Sequence, residues 1–140
     1  MKRHRILRIV SKLLIPYILL FALYVQFHGD YGPGGGFQAG VIVGAAFVLY
    51  ALVFGLAAAR RVAPPVLVET LIATGLLLYA SVGLVSLLRG GNFLDYSVLR
   101  HDPQHGQHLG ILLVEAGVGL TVAAVMIAIF FSFAGRGDPR

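Results

Sequence analysis

The sequence of 140 residues contains no cysteine and no tryptophan, and charged residues make up only 12% of it. The absence of cysteine excludes disulfides, thiol nucleophiles and thiolate metal sites. The scarcity of charge is equally informative, because a soluble domain carries about 25% charged residues. Hydrophobic residues make up 58% of the chain and the mean hydropathy is +0.85. Too little polar surface remains to cover a soluble fold, so the composition predicts an integral membrane protein.

Four long apolar stretches account for this composition, at approximately residues 6–27, 37–59, 66–88 and 109–133. Each has at least the roughly 20 residues that a helix needs to cross the hydrocarbon core. Backbone groups in lipid must be satisfied within the segment, and the alternating strands of a barrel are absent. The sequence therefore predicts an all-α polytopic membrane protein, with four transmembrane helices in a single domain over residues 1–140.

The lysines and arginines predict the orientation of these helices. Nine of the 11 fall at the start of the chain, between the second and third stretches, or after the fourth. An even number of crossings places all three regions on one side, and leaves only Arg89 and Arg100 on the other. The positive-inside rule then puts both termini in the cytoplasm. The net charge of +5 reflects topology and contact with anionic lipid, and gives no support to nucleic-acid binding.

Small residues predict close helix contacts. Gly36, Gly40 and Gly44 recur every four residues along the second helix, and Ala51, Gly55 and Ala59 repeat the same spacing further along. Such ridges let helix backbones approach closely in lipid. The density of small residues exceeds what four helices need for internal packing, so we expect assembly with other membrane subunits.

Glu115 is the strongest functional candidate, because an ionisable group inside a span is costly and is usually functional. It lies six residues into the fourth stretch, about 9 Å below its outer end. At that depth we expect Val43 and Gly44 of the second helix, and Ser81 and Gly83 of the third. A carboxyl group there can hold or pass a proton near neutral pH. The alternative is a fixed hydrogen bond or ion pair with another subunit.

Glu69 lies near the cytoplasmic start of the third stretch, where we expect it to pair with Arg60 or Arg61 or to suit the helix dipole. On the outer side, His101, His105 and His108 have the spacing of one helical face. Pro103 and Gly106 interrupt any helix there, so we expect no metal site. Proton collection at a pore mouth and a simple solvated loop both remain open for these histidines.

The glycine-rich loop 32–36 lacks the Gly-Lys-Ser/Thr ending of a phosphate-binding loop. It predicts a sharp turn into the second helix, and no nucleophile–base pair suggests an enzyme.

Three segments carry a resemblance to a known family. Residues 32–41, Gly-Pro-Gly-Gly-Gly-Phe-Gln-Ala-Gly-Val, resemble the PGGGFQAG signature of the MnhB-like membrane proteins, which belong to the multisubunit Na⁺/H⁺ antiporters of the Mrp or Mnh type. Residues 107–121 resemble that family's last helix, and residues 7–16 its first. The resemblance implies a non-catalytic subunit in the bacterial cell membrane, assembled with several other membrane subunits. It implies no cofactor and an assembly that exchanges cytoplasmic Na⁺ for external H⁺, in support of pH homeostasis.

The resemblance also assigns residues. Pro33, Gly34, Gly35, Gly36 and Phe37 would be the motif residues that shape the loop and the helix start. Glu115 would be the last-helix carboxylate.

One position departs from the family pattern, which often has a histidine three residues before the motif proline. This chain has Asp30 there, and Asp30 or His28 would replace that histidine. The candidates for an ion or proton path are therefore Glu115, Asp30, His28 and His108. Two alternatives are a related subunit of a membrane-bound hydrogenase-type redox complex and a purely structural scaffold. A small drug-efflux protein fits poorly, because its carboxylate is expected in the first helix.

Overall fold

The computed structural model describes residues 2–29 and 33–137. Within these ranges the chain is helical and has no strand. Its helices are α1 Lys2–His28, α2 Gly36–Phe54, α3 Leu56–Val62, α4 Pro65–Leu88 and α5 Pro103–Ala134, with 3₁₀ turns at Tyr96–Leu99 and Gly135–Gly137. By length and composition, α1, α2, α4 and α5 can each cross a membrane. The predicted all-α class with four transmembrane helices is confirmed.

The second apolar stretch, 37–59, is divided at Gly55 into two helices. Gly55 has φ 97° and ψ 158°, a backbone conformation that is essentially restricted to glycine. Its N–H donates to the carbonyl oxygen of Ala51 at 2.9 Å and ends α2, after which α3 begins at Leu56. The glycine that the sequence suggested as a packing residue is therefore a helix break.

Helix α5 begins at Pro103, six residues before the predicted start at 109. Asp102 caps it, because its carboxylate accepts from the N–H of Gln104 at 3.1 Å, and its other oxygen lies 2.7 Å from Nδ1 of His105. These two contacts, the backbone one first, lower the pKa of Asp102. Proline at the first helical position fits this start, since its missing N–H needs no partner there.

Helix α5 lies between α2 and α4, and α1 packs mainly on α2. Gly117 of α5 and Gly75 of α4 lie against each other. A Cβ built on Gly117 would lie 2.9 Å from the carbonyl oxygen of Gly75. Thr121, one turn further along α5, also lies against Gly75. Two glycines thus let these backbones meet directly, as small residues do in membrane bundles.

Contacts between cations and rings show which helix ends lie together. Arg8 and Lys12 of α1 each lie 5.8 Å from the ring centre of Phe54, at the end of α2. Arg60 of α3 lies 6.0 Å from the ring centre of Phe131, near the end of α5. We call this side of the molecule the basic end, and the opposite side, where α1 finishes and α2 starts, the loop end.

The predicted pairing of Glu69 with Arg60 or Arg61 is wrong. Glu69 is exposed, and within the described ranges it makes no ion pair with either arginine. Helix α4 begins at Pro65, so Glu69 also lies beyond the first turn, where the helix dipole would act on it most strongly.

Candidate functional site

The glycine loop folds back onto the last turn of α1. The N–H of Gly35 donates to the carbonyl oxygen of Val25 at 3.1 Å. Gly35 has φ 131° and ψ −177°, a backbone conformation that residues with a side chain rarely adopt. A Cβ on Gly34 would lie 2.8 Å from the same carbonyl oxygen of Val25. The glycines are therefore required by the backbone path itself, at a turn that places the start of α2 beside the end of α1.

The carboxylate of Glu115 lies against this turn. A Cβ built on Gly29 would lie 2.8 Å from both of its oxygens, and a Cβ on Gly35 would lie 3.0 Å from Oε1. The backbone carbonyl of Glu115 is packed against Gly36, where a Cβ would overlap it. The structure thus brings together the two features that the sequence singled out separately, the glycine motif and the carboxylate of the last span.

Helices α2 and α5 run parallel, and three glycines of α2 set their register. Gly36 faces Gly119, where an added Cβ would lie 3.0 Å from the backbone nitrogen. Gly40 faces Gly119 and Val122, and Gly44 faces Met126, with an added Cβ 2.9 Å from the Met126 Cβ. The expected proximity of Glu115 to Gly44 is therefore wrong. Glu115 lies level with the first residue of α2, so the part of α5 from Pro103 to Glu115 extends beyond the start of α2.

The start of α2 offers a favourable electrostatic environment to this carboxylate. The first N–H groups of a helix have no partner within it and carry a partial positive charge. Gly35, at the N-cap position, has no side chain with which to cap them. Glu115 is on another helix but lies at this end of α2, where a negative charge is stabilised.

Gln26 is a polar residue of this junction that the sequence reasoning missed. Its Oε1 lies 2.5 Å from the position of a Cβ on Gly119, one turn beyond Glu115 on α5. Within the described part of the chain, its Nε2 is buried and has no hydrogen-bond partner. A buried amide without a partner is costly and rare. The available signal was a single amide inside an apolar span, which deserved the same scrutiny as Glu115.

The two candidate histidines lie on different helices. The ring of His28, at the end of α1, stacks on Tyr24 with centroids 5.1 Å apart. Both rings line a groove on the exposed face of α1, together with Tyr17 and Leu20. His108 lies on α5, seven residues and hence two turns before Glu115, and is exposed. The two histidines thus come from α1 and from α5.

The remaining motif residues point outward. Pro33 is exposed, and the side chain of Phe37 is 64% exposed at the start of α2. Neither belongs to the core, so both are available to lipid or to another subunit. Asp30 lies outside the described residues. His101, just before α5, and His105, in the first turn of α5, are both exposed.

Fold and site together define the class of protein: a multi-pass membrane protein in which a carboxylate from the last span is held by a glycine turn between the first two. A family model described as a domain related to the MnhB subunit of Na⁺/H⁺ antiporters matches residues 6–128. The chain belongs to this family.

Two bacterial relatives illustrate the similarity. The chain is 34% identical over 133 residues to a protein of Staphylococcus haemolyticus strain JCSC1435, covering 93% of this chain and 94% of the relative. It is 32% identical, with the same coverage, to a protein of Staphylococcus aureus strain Newman. Both relatives carry the provisional name antiporter subunit mnhB2.

Proposed function

We propose that this chain is a non-catalytic membrane subunit of a multisubunit Na⁺/H⁺ antiporter. Family membership and the antiporter names of its relatives support this assignment. They favour the antiporter over a hydrogenase-type redox complex, since no named relative points to redox chemistry. The assembled complex carries out the exchange, and this chain contributes assembly contacts and part of the ion or proton path.

The contact between Glu115 and the glycine turn is the observation that carries the mechanistic part of this proposal. The carboxylate lies against Gly29 and Gly35, at the loop end of the molecule. A carboxylate near the mouth of a span can bind a cation or accept a proton, and the start of α2 makes its negative charge less costly. Glu115 therefore receives the cation or proton at the loop end, and Asp30 and His108 are the candidates to exchange it with solvent.

A scaffold role is the second candidate, and the same contact favours it. A carboxylate held against a tight glycine turn also ties α5 to the α1–α2 connection. In that case Glu115 fixes the geometry of the loop end, and neighbouring subunits conduct the ions.

The orientation follows from the basic end. Arg8, Lys12 and Arg60 lie at this end, on the rings of Phe54 and Phe131. The positive-inside rule places them in the cytoplasm, so the loop end faces outward across the bacterial cell membrane.

The test is Na⁺-dependent pH change in everted vesicles that express all antiporter subunits, with and without this chain. The proposal expects exchange to disappear when the chain is omitted and to return when it is supplied in trans. Full exchange without the chain would refute the assignment.

A further inference from the structure

A cleft at the basic end lies between the start of α4 and the end of α5. It has a volume of about 230 Å³, and its lining includes Arg60, Glu69, Phe131 and Ser132. It therefore carries one cation and one anion. The position is that of a membrane interface, because α4 enters its apolar span at Pro65 and α5 leaves its own at Ala134.

Opposite charges so close to a membrane would be expected to pair directly. In the part of the chain that the structure describes, Arg60 and Glu69 line the same cleft but form no ion pair. Arg60 instead lies on the ring of Phe131 and reaches toward Gly135 at the end of α5, with Nη2 2.9 Å from the position of a Cβ there. Each charge consequently keeps hydrogen-bonding capacity for a group that enters the cleft.

The chemistry of the lining is that of a zwitterion site. Arg60 offers a guanidinium that suits a phosphate, and its stacking on Phe131 fixes the orientation of the group. Glu69 offers a carboxylate that accepts from an ammonium group. The hydroxyl of Ser132 donates to the carbonyl of Ala128 at 2.9 Å, so its oxygen can accept a further N–H.

We propose that this cleft binds the headgroup of a phosphatidylethanolamine-type lipid, with its phosphate at Arg60 and its ammonium at Glu69. An acidic lipid without an amine, such as phosphatidylglycerol, satisfies Arg60 but leaves Glu69 unpaired beside a second negative charge. A choline headgroup has a positive charge but no N–H donor for the carboxylate. The apolar lining at Val68 and Ala128 continues from the headgroup site toward the acyl chains.

The test measures lipid retained by the full chain, purified together with its co-expressed subunits. The complex is equilibrated with equal amounts of phosphatidylethanolamine and phosphatidylglycerol, washed, and its lipids are counted by mass spectrometry. The proposal expects Glu69→Gln to lower the preference for phosphatidylethanolamine about tenfold, the scale of one lost hydrogen bond to a charged group. It expects Arg60→Gln to lose both lipids from this site and Arg60→Lys to keep most of the binding.

Arg136→Gln is the matched control, because Arg136 lies on the ring of Phe133 at the same end, 5.4 Å from the ring centre, and does not line the cleft. Its lipid content is expected to equal that of the wild type. Equal retention of both lipids by the wild type, or a wild-type lipid profile in Glu69→Gln and Arg60→Gln, would overturn the proposal. The readout does not depend on transport, so it stands or fails separately from the antiporter assignment.

Discussion

Glu115 and Gly35 are in contact across the loop end, with Oε1 of the carboxylate 3.0 Å from the position that a Cβ on Gly35 would take. Gly35 is the N-cap residue of α2, and Glu115 belongs to α5, 80 positions further along the chain. The glycine motif therefore has a second role beyond turning the chain. It leaves room for a carboxylate, and this explains why adjacent glycines are needed.

Three alanine substitutions separate the effect of the contact with Glu115 from the effect of backbone strain at a positive φ. Gly29→Ala places a methyl group 2.8 Å from both carboxylate oxygens of Glu115, and no positive φ adds strain there. Gly55→Ala adds only strain, because φ is 97° and nothing lies within 4 Å of the new Cβ. Gly35→Ala combines both effects.

We expect alanine at Gly35 or at Gly55 to lower the free energy of unfolding by about 1–3 kcal/mol, because of the positive φ at each site. The measurement is the melting temperature of the complex. We expect Na⁺-dependent exchange to fall in Gly29→Ala and Gly35→Ala, and to persist in assembled Gly55→Ala. An exchange defect confined to Gly55→Ala would contradict the assigned contact.

Gly36→Ala tests the packing of α2 on α5. The new methyl group would overlap the backbone carbonyl of Glu115, which cannot move without shifting the helix. We expect the free energy of unfolding to fall by about 1–3 kcal/mol, the usual cost of overpacking. Gly44→Ala is the comparison variant, because its new Cβ would lie 2.9 Å from the Cβ of Met126, a milder overlap than that with the backbone carbonyl at Gly36. Thermal unfolding of the purified complex should rank Gly36→Ala well below Gly44→Ala, and equal melting temperatures would argue against this register.

Gln26→Leu separates a polar role from a packing role. Leucine removes a buried nitrogen that has no partner within the described residues, so stability should stay constant or rise by about 1 kcal/mol. If the amide serves the ion or proton path beside Glu115, exchange should fall despite this stability. Melting temperature and exchange rate are measured on the same preparation. Unchanged exchange in a complex of normal stability would make Gln26 a packing residue only.

The hydropathy pattern was sufficient to predict the four spans, because span length and apolar content are local properties of the sequence. The start of α5 was missed, although Asp102 followed by Pro103 is a recognisable helix start. Polar residues after Pro103 suggested a loop, but the helix simply extends beyond the apolar stretch. The break at Gly55 was missed because small residues every four positions, here Ala51, Gly55 and Ala59, also predict helix packing.

The contact of Glu115 with the glycine turn was beyond local reasoning. It depends on the parallel register of α2 and α5, which is set by Gly36, Gly40 and Gly44 against residues about 80 positions away. The sequence-based expectation placed the starts of the two helices at the same level, which put Glu115 opposite Gly44 instead of Gly36. Glu115 and the glycine motif were nevertheless both identified from the sequence, since a carboxylate and a run of glycines are each unusual in or beside an apolar span.

The cap at Asp102 predicts an acid-dependent loosening of the start of α5. The folded state lowers the pKa of this carboxyl below its usual value of 3.8, so its stabilising contribution is present above that value. The contribution is lost as the pH falls through the folded pKa. Hydrogen exchange at the amides of residues 104–108, corrected for intrinsic rates, should therefore accelerate only as the pH falls below 3.8, and not at neutral pH. Asp102→Asn keeps a capping oxygen that does not titrate, and should abolish this change; the same acceleration in that variant would exclude Asp102 as its cause.

The central claim is that Glu115, held by the glycine turn, lies on the ion or proton path. The most direct measurement is Na⁺-dependent pH change in everted vesicles with Glu115→Gln, with assembly checked on a native gel. Glu69→Gln is the matched control, since it removes the carboxylate at the basic end. The account predicts lost exchange in a fully assembled Glu115→Gln complex and retained exchange in Glu69→Gln. Unchanged exchange in Glu115→Gln would contradict the claim and leave this chain a scaffold.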